Sequence, residues 1–280
     1  MTSAWQKLKT LLYKDYLFVT GEKHLYLQEN DTLLDIGGGG GYYARRLAKK
    51  VGMLILADRF SGEYSFHREI AKSAAESEKN IHVICGDAHY IPLQPSSVTK
   101  IFSNQILEHL LKPGDFFREA GRVLSQNGKL IVISQNAVFL ASYHFPIRRI
   151  LKRVLLRLPG QSSSKDRNKN ASSISDANAF LSQGYEAWEK AVGHLHRFTK
   201  EDYLRMAKEA DLEVETIYSV HGRLSFALWE IESAVSHSQR FAQPIRILCR
   251  AVFLPPFRVL DSYVNKEGVD LIGVFKKHRS

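Results

Sequence analysis

Cysteine is nearly absent: Cys85 and Cys249 are the only two in 280 residues, and no Cys-x-x-Cys spacing occurs. That excludes a disulfide framework and a cysteine zinc cluster, and it suits a reducing cytoplasm. Long uncharged apolar runs are missing as well. Residues 1–20 scatter Lys7, Lys9, Lys14 and Asp15 among their apolar positions, too broken for a signal sequence or a membrane span. Acidic residues are scarce in one place above all. From Phe145 to Asn170 the eight basic positions 148, 149, 152, 153, 157, 165, 167 and 169 stand against Asp166 alone, a local +7 of the net +10. The remainder is close to neutral, so the basic footprint of a general nucleic-acid binder is not spread over this surface. No internal repeat occurs.

What is present is enough for one large domain over 1–280, with a hydrophobic content of 44% to fill its core. Trp5, Leu8, Leu12, Tyr16 and Val19 recur at helical intervals, which predicts an N-terminal helical cap within 1–29. Apolar runs at Thr32–Ile36, Met53–Ala57, Ile81–Cys85, Lys100–Ser103 and Lys129–Ser134 predict five strands. Helical patterns at Tyr42–Lys50, His67–Glu78 and Asp115–Leu124 alternate with them, and Asn127-Gly128 reads as a turn. This alternation predicts an α/β fold with a doubly wound sheet. The pattern is interrupted at 136–193 and again at 219–267. Between the interruptions, Thr199 reads as an N-cap before a helix to Ala210 and a strand around Val214–Tyr218. A last strand follows at Val269–Phe275.

The first strand ends at Asp35-Ile36 and breaks into five glycines, Gly37 to Gly41. A strand, a glycine turn and a helix start form the first unit of a nucleotide-binding sheet. Two registers compete. Gly39, Gly41 and Ala44 satisfy the dinucleotide pattern G-x-G-x-x-[G/A], with Asp58 to hold a ribose of NAD. The other register is Asp35-x-Gly37-x-Gly39-x-Gly41.

In that second register the chain resembles the class I S-adenosylmethionine-dependent methyltransferases, in particular their methyltransferase type 11-like members. The likeness continues at Asp58 after the second strand, at Gly86-Asp87 after the third, and at Ile91-Pro92-Leu93 onward, with Thr99 where an Asp is usual. It goes on through Ile106–Leu110, Ala120–Ile133 and His196–Val214. The resemblance implies a Rossmann-like seven-stranded sheet whose last strand is antiparallel, with 136–193 as a helical lid insertion and 219–267 as a second helical insertion. It implies S-adenosyl-L-methionine as cofactor, contacted by Asp35, Gly37, Gly39, Gly41, Asp58, Asp87, Ala88 and Asn104. It is strongest to the broad group that contains quinone-biosynthesis methyltransferases, which spans many acceptors.

Methyl transfer from a sulfonium depends on alignment, and a positioned His adds a proton acceptor when the nucleophile is a hydroxyl or ammonium. The candidates are His109, His144, His194, His196 and His221. His194 and His196 share one face of an extended segment just before the Thr199 helix; in the enzymes the chain resembles this segment borders the acceptor pocket, so the resemblance implies His196 as base or acceptor-orienting group, with His194 second. No metal site is expected from them. The segment after Asn104 lacks the Pro and Tyr of an N/D-P-P-Y sequence, which disfavours methylation of base amines.

Ile147, Ile150, Leu151, Val154, Leu155 and Leu158 form one apolar helical face, while Arg148, Arg149, Lys152, Arg153 and Arg157 form a wholly cationic one. Such a helix fits an anionic membrane surface, and Ile245–Leu254 is a second apolar stretch able to partner it. The expected partner is a small-molecule or lipid-like acceptor reached at a membrane surface by a cytoplasmic, peripheral protein. Nucleic acid is not favoured, because aromatics are not interleaved with the arginines. The competing functional classes are an RNA-binding or membrane-associated module without catalysis on the same fold, and an NAD-dependent oxidoreductase.

Overall fold

The apolar runs that end in Asp or Gly become the strands of one sheet. In a computed structural model, residues 14–61, 65–142, 193–235, 248–264 and 267–278 are described. The elements run α1 (Lys14–Glu22), β1 (Thr32–Ile36), α2 (Ala44–Ala48), β2 (Met53–Asp58), α3 (His67–Ser77), β3 (Ile81–Cys85) and β4 (Val98–Asn104). A 3-10 turn at Leu107–His109 follows, then α4 (Pro113–Val123), β5 (Leu124–Gln135), α5 (Ala137–Ser142), α6 (Lys200–Glu209) and β6 (Leu212–Val220). The chain ends with α7 (Arg223–Val235), a π-helical segment (Leu248–Phe253), α8 (Leu254–Val264) and β7 (Asp270–Lys277). The helix predicted at 147–158 lies outside the described residues, as do most of 136–193 and residues 1–13.

The seven strands are ordered β3-β2-β1-β4-β5-β7-β6. β1 pairs in parallel with β2 and β4, β2 with β3, and β4 with β5, whereas β7 returns antiparallel against β5. This is the doubly wound, Rossmann-like sheet with an antiparallel last strand. The order reverses between β1 and β4, so the carboxyl ends of these two strands flank the crevice where such sheets bind ligands.

The chain divides into two compact units. The sheet unit comprises Lys14–Asn136, His196–Tyr218 and the stretch from Asp270 onward; the helical unit contains Ala137–Leu195 and Ser219–Val269. In the sheet unit, β1 is buried after its first residue and β5 from Leu130 to Gln135. Phe117, Tyr203 and Phe275 meet at ring separations of 5.2–6.0 Å, and the Tyr203 hydroxyl lies 2.7 Å from Ser134 Oγ. Thr199 caps α6 as its sequence predicts: its Oγ1 accepts the Asp202 N–H, and the Asp202 carboxylate accepts the Thr199 N–H in return.

Several boundaries differ from the sequence reading, most of them by one or two residues. β5 starts at Leu124 and runs through Asn127-Gly128, where Asn127 takes φ +61° and the register against β4 shifts between Val98 and Lys100. The turn residues make an irregularity inside the strand and do not interrupt it. α2 is shorter than Tyr42–Lys50, because Tyr42 and Tyr43 belong to the turn that leaves the glycine loop. β4 starts two residues before Lys100.

In the helical unit, buried Asp261 of α8 supplies the cap that α7 lacks locally. Its two carboxylate oxygens accept the Leu224 N–H at 3.0 Å and the Ser225 N–H at 2.8 Å. Leu248, Val252 and Phe253 before α8, and Val259 and Leu260 within it, are exposed. Among the described residues no helix is long and apolar enough to cross a membrane.

Gly273 lies where β7 meets the aromatic cluster. A Cβ there would sit 2.6 Å from ring atoms of Phe275 and Tyr203. Gly273→Ala is therefore expected to destabilise the fold by about 1–3 kcal/mol, read as a lower midpoint in urea denaturation with an unchanged m-value.

Candidate functional site

Three residues of the glycine loop take left-handed backbone conformations. Gly37, Gly39 and Gly41 have φ of +76°, +53° and +72°, while Gly38 and Gly40 do not take positive values. The left-handed positions alternate, and they are the three that lie two, four and six residues after Asp35. Residues with a Cβ are strained there, and at Gly37 a Cβ would fall 2.1 Å from Ile106 Cγ2. Gly37 N–H donates to the Ala57 carbonyl at 2.8 Å, which extends the β1–β2 ladder by one bond before the chain turns.

Asp58 ends β2 and clamps this loop. Its Oδ2 accepts the Gly39 N–H at 2.9 Å and its Oδ1 accepts the Phe60 N–H at 3.0 Å. Each oxygen keeps a lone pair for a further donor. Asp35 lies behind the loop, only 4% exposed. Burial, and after it the charge of Asp58, push its carboxyl up to about 7. An added Cβ on Gly38 would come within 2.7 Å of Asp35 Oδ2, so glycine is what lets the loop lie over this carboxyl.

The turn after β3 places Asp87 and buried Ala88 beside Asp58, whose carbonyl accepts the Gly86 N–H at 3.0 Å. Asp87 Oδ1 accepts the His89 N–H at 2.9 Å and sits 2.6 Å from His89 Nδ1, and Arg59 Nε lies 3.8 Å from Oδ2. Burial pushes the Asp87 carboxyl up, but the two bonds from His89 and the nearby Arg59 outweigh it and hold it below its ordinary range.

Asn104 ends β4, and its buried Oδ1 finds no hydrogen-bond partner among the described residues. The next residue, Gln105, takes φ +57°, donates its N–H to the Ile133 carbonyl at 2.8 Å, and donates from Nε2 to Asp270 Oδ1 at 3.0 Å. Glu108 is fully buried in the 3-10 turn. Burial first, with the charge of Asp270 adding to it, pushes its carboxyl up to about 8. The Glu108 carbonyl accepts the His196 N–H at 3.2 Å, so half-buried His196 is tied to the segment that leaves β4. His194 and His221 belong to the helical unit, and His144 lies outside the described residues.

The carboxyl edge of β1, β2, β3 and β4 thus gathers Asp35, the three glycines, Asp58, Asp87, Ala88 and Asn104. Sequence reasoning missed Glu108, His89 and Gln105 as parts of this edge. For Glu108 a signal existed: an acid between Ile106, Leu107 and Leu110 in a segment too apolar to leave it in water.

Residues 34–132, from β1 to β5, match the sequence profile of a family described as a methyltransferase domain. Over this stretch the chain is similar to methyltransferase domains, and its sheet has the strand order and antiparallel last strand of the class I methyltransferase fold. It is 32% identical over 100 residues to the biotin biosynthesis bifunctional protein BioHC of Cellvibrio japonicus, covering 36% of this chain and 19% of that one. To the malonyl-[acyl-carrier protein] O-methyltransferase of a Marinomonas strain it is 29% identical over 129 residues, 42% of this chain and 44% of that one. The match spans less than half the length of these curated relatives. Among solved structures, the [4+2]-cyclase SpnF superposes with a TM-score of 0.58 at 17% identity, covering 95% of this chain and 81% of that one. Geranyl diphosphate C-methyltransferase from Streptomyces coelicolor, in complex with Mg2+, geranyl diphosphate and S-adenosyl-L-homocysteine, superposes with a TM-score of 0.55 at 14% identity. The superposition covers 99% of this chain and 84% of that one. These likenesses are of fold.

Asp35 couples the stability of the fold to pH. Its folded pKa of about 7 lies above the ordinary 3.8, so between these values the folded chain binds more protons than the unfolded one, and stability falls as pH rises. Comparing ligand-free wild type with Asp35→Asn by urea denaturation from pH 4 to pH 8 should show the wild type losing stability relative to the variant up to about pH 7. The relative loss is expected to be on the order of a few kcal/mol and to level off above that pH.

Proposed function

We propose that this protein transfers the methyl group of S-adenosyl-L-methionine to a small-molecule acceptor, with the cofactor lying over Gly37–Gly41. The observation that carries the reading is the alternation of left-handed glycines clamped by Asp58 above buried Asp35. The residues present fit the cofactor. Side chains are absent where a ligand must approach the backbone, Asp58 retains lone pairs for the two hydroxyls of a ribose, and Asp35 is a desolvated carboxyl that gains from a neighbouring cation. When bound, the cofactor supplies an electrophilic methyl group on a sulfonium.

In this reading Asp58 accepts from the ribose diol, and Asp87 with the backbone of Ala88 meets the adenine. Asp35 and Asn104 Oδ1, which has no partner among the described residues, face the cationic methionine end. His196, held through its backbone by Glu108, accepts the proton of a hydroxyl or ammonium acceptor, with His194 the second candidate. The NAD reading is not favoured, because the profile that residues 34–132 match is that of a methyltransferase domain.

The acceptor is proposed to be amphiphilic or lipid-linked and to be reached at an anionic membrane surface. The support is the cationic amphipathic sequence at 147–158, together with the exposed apolar residues Leu248, Val252, Phe253, Val259 and Leu260.

Asp58→Ala is expected to weaken S-adenosyl-L-methionine binding at least about tenfold, or 1.4 kcal/mol, by calorimetry. Unchanged affinity removes Asp58 from the ribose, and wild-type protein that binds NAD in place of S-adenosyl-L-methionine defeats the function. For the membrane, wild-type protein should sediment with vesicles of mixed phosphatidylserine and phosphatidylcholine and be released by salt. Retention in the supernatant at low ionic strength counts against a membrane-bound acceptor.

A further inference from the structure

His89 lies between two elements that the cofactor reading treats separately, the turn after β3 and the start of α4. Lys112, the residue before α4, donates its N–H to His89 Nε2 at 3.2 Å. A nitrogen that accepts carries no proton, so in the neutral ring the proton sits on Nδ1. Nδ1–H then donates to Asp87 Oδ1 at 2.6 Å, and the same oxygen accepts the His89 N–H at 2.9 Å. The ring is only 11% exposed, so it holds one orientation.

The consequence falls on the other oxygen. With two donors on Oδ1, the Asp87 carboxylate cannot rotate, and Oδ2 is the oxygen turned to a ligand. Arg59 Nε, 3.8 Å from Oδ2, stands beyond hydrogen-bond distance and belongs to a side chain more than half exposed. Oδ2 therefore keeps its capacity to accept, next to the Asp58 clamp.

We propose that His89 is a positioning residue that locks the Asp87 carboxylate so that Oδ2 selects a ligand with an amino group at the purine 6-position. The proposal rests on the assignment of Asp87 to the adenine. It makes His89 a determinant of which nucleoside the site accepts, acting through Asp87 without touching the ligand. A 6-oxo purine offers Oδ2 an oxygen in place of a donor, and a fixed carboxylate cannot turn away from it.

The test is calorimetric titration of S-adenosylhomocysteine and its 6-oxo analogue S-inosylhomocysteine into wild type, Asp87→Ala, His89→Ala and His89→Asn, with thermal melts alongside. Wild type should prefer the adenine compound, and Asp87→Ala and His89→Ala should each reduce that preference about tenfold. His89→Asn places an amide N–H near the position of Nδ1 and should recover part of it. That variant also serves as the readout should His89→Ala not fold. A preference that survives intact in His89→Ala, or in a folded His89→Asn shown to have lost the bond to Asp87, overturns the role of His89 alone. Equal loss of affinity for both compounds does the same, since that marks a merely structural residue. Wild type that binds neither compound overturns the cofactor assignment and this proposal with it.

Discussion

The bond from the Gly39 amide to Asp58 Oδ2 is the tie on which the site depends. A loop of five glycines has more conformational freedom to lose than any other sequence of its length, and it would sample many shapes unless something outside it chose one. The strand ladder fixes its entry through Gly37, the tyrosine turn and α2 fix its exit, and Asp58 fixes its middle. Because Asp58 terminates the neighbouring strand, the clamp is anchored in the sheet itself. The same carboxylate charge lies near buried Asp35 and raises its pKa, so the residue that shapes the loop also makes the site receptive to a cation.

Much of this could be read from the chain beforehand. β1 and β3 have the bounds their apolar runs predict, and Thr199, with acidic residues in the following turn, marks its helix start correctly. These features are local: each is decided by a few neighbours in sequence. What escaped depends on partners far along the chain. Glu108 is buried because apolar neighbours carry it inward, and Asp270, from the last strand, contributes to its raised pKa. The link from Lys112 to His89 depends on where α4 begins, and the extension of β5 through Asn127-Gly128 on its pairing with β4. Propensity gives the turn reading of Asn127-Gly128, and tertiary pairing overrides it.

Polar groups concentrate at one edge of the sheet and stay unbalanced there. Asp35 and Glu108 are held with raised pKa values, Asn104 Oδ1 has no partner among the described residues, and Gln105 takes a strained backbone angle. Each is costly to a fold considered alone, and together they mark the region where stability is given up for binding. The [4+2]-cyclase among the structural neighbours shows how little the frame dictates chemistry. The side chains placed on this edge decide it.

The opposite edge of the sheet works differently. Thr99 stands where related sequences carry an acid, and its hydroxyl donates to Asp31 Oδ1 at 2.6 Å while its oxygen accepts the Thr32 N–H at 3.1 Å. The carboxylate of this edge sits on Asp31, the residue before β1, and Lys100 Nζ lies 4.0 Å from its Oδ1. The two positions hold one charge between them, so each constrains what the other can become. An acid at Thr99 would set two carboxylates face to face unless Asp31 changed as well. The contact lies at the amino ends of β1 and β4, so a paired change at Asp31 and Thr99 would leave the glycine loop at the carboxyl ends untouched.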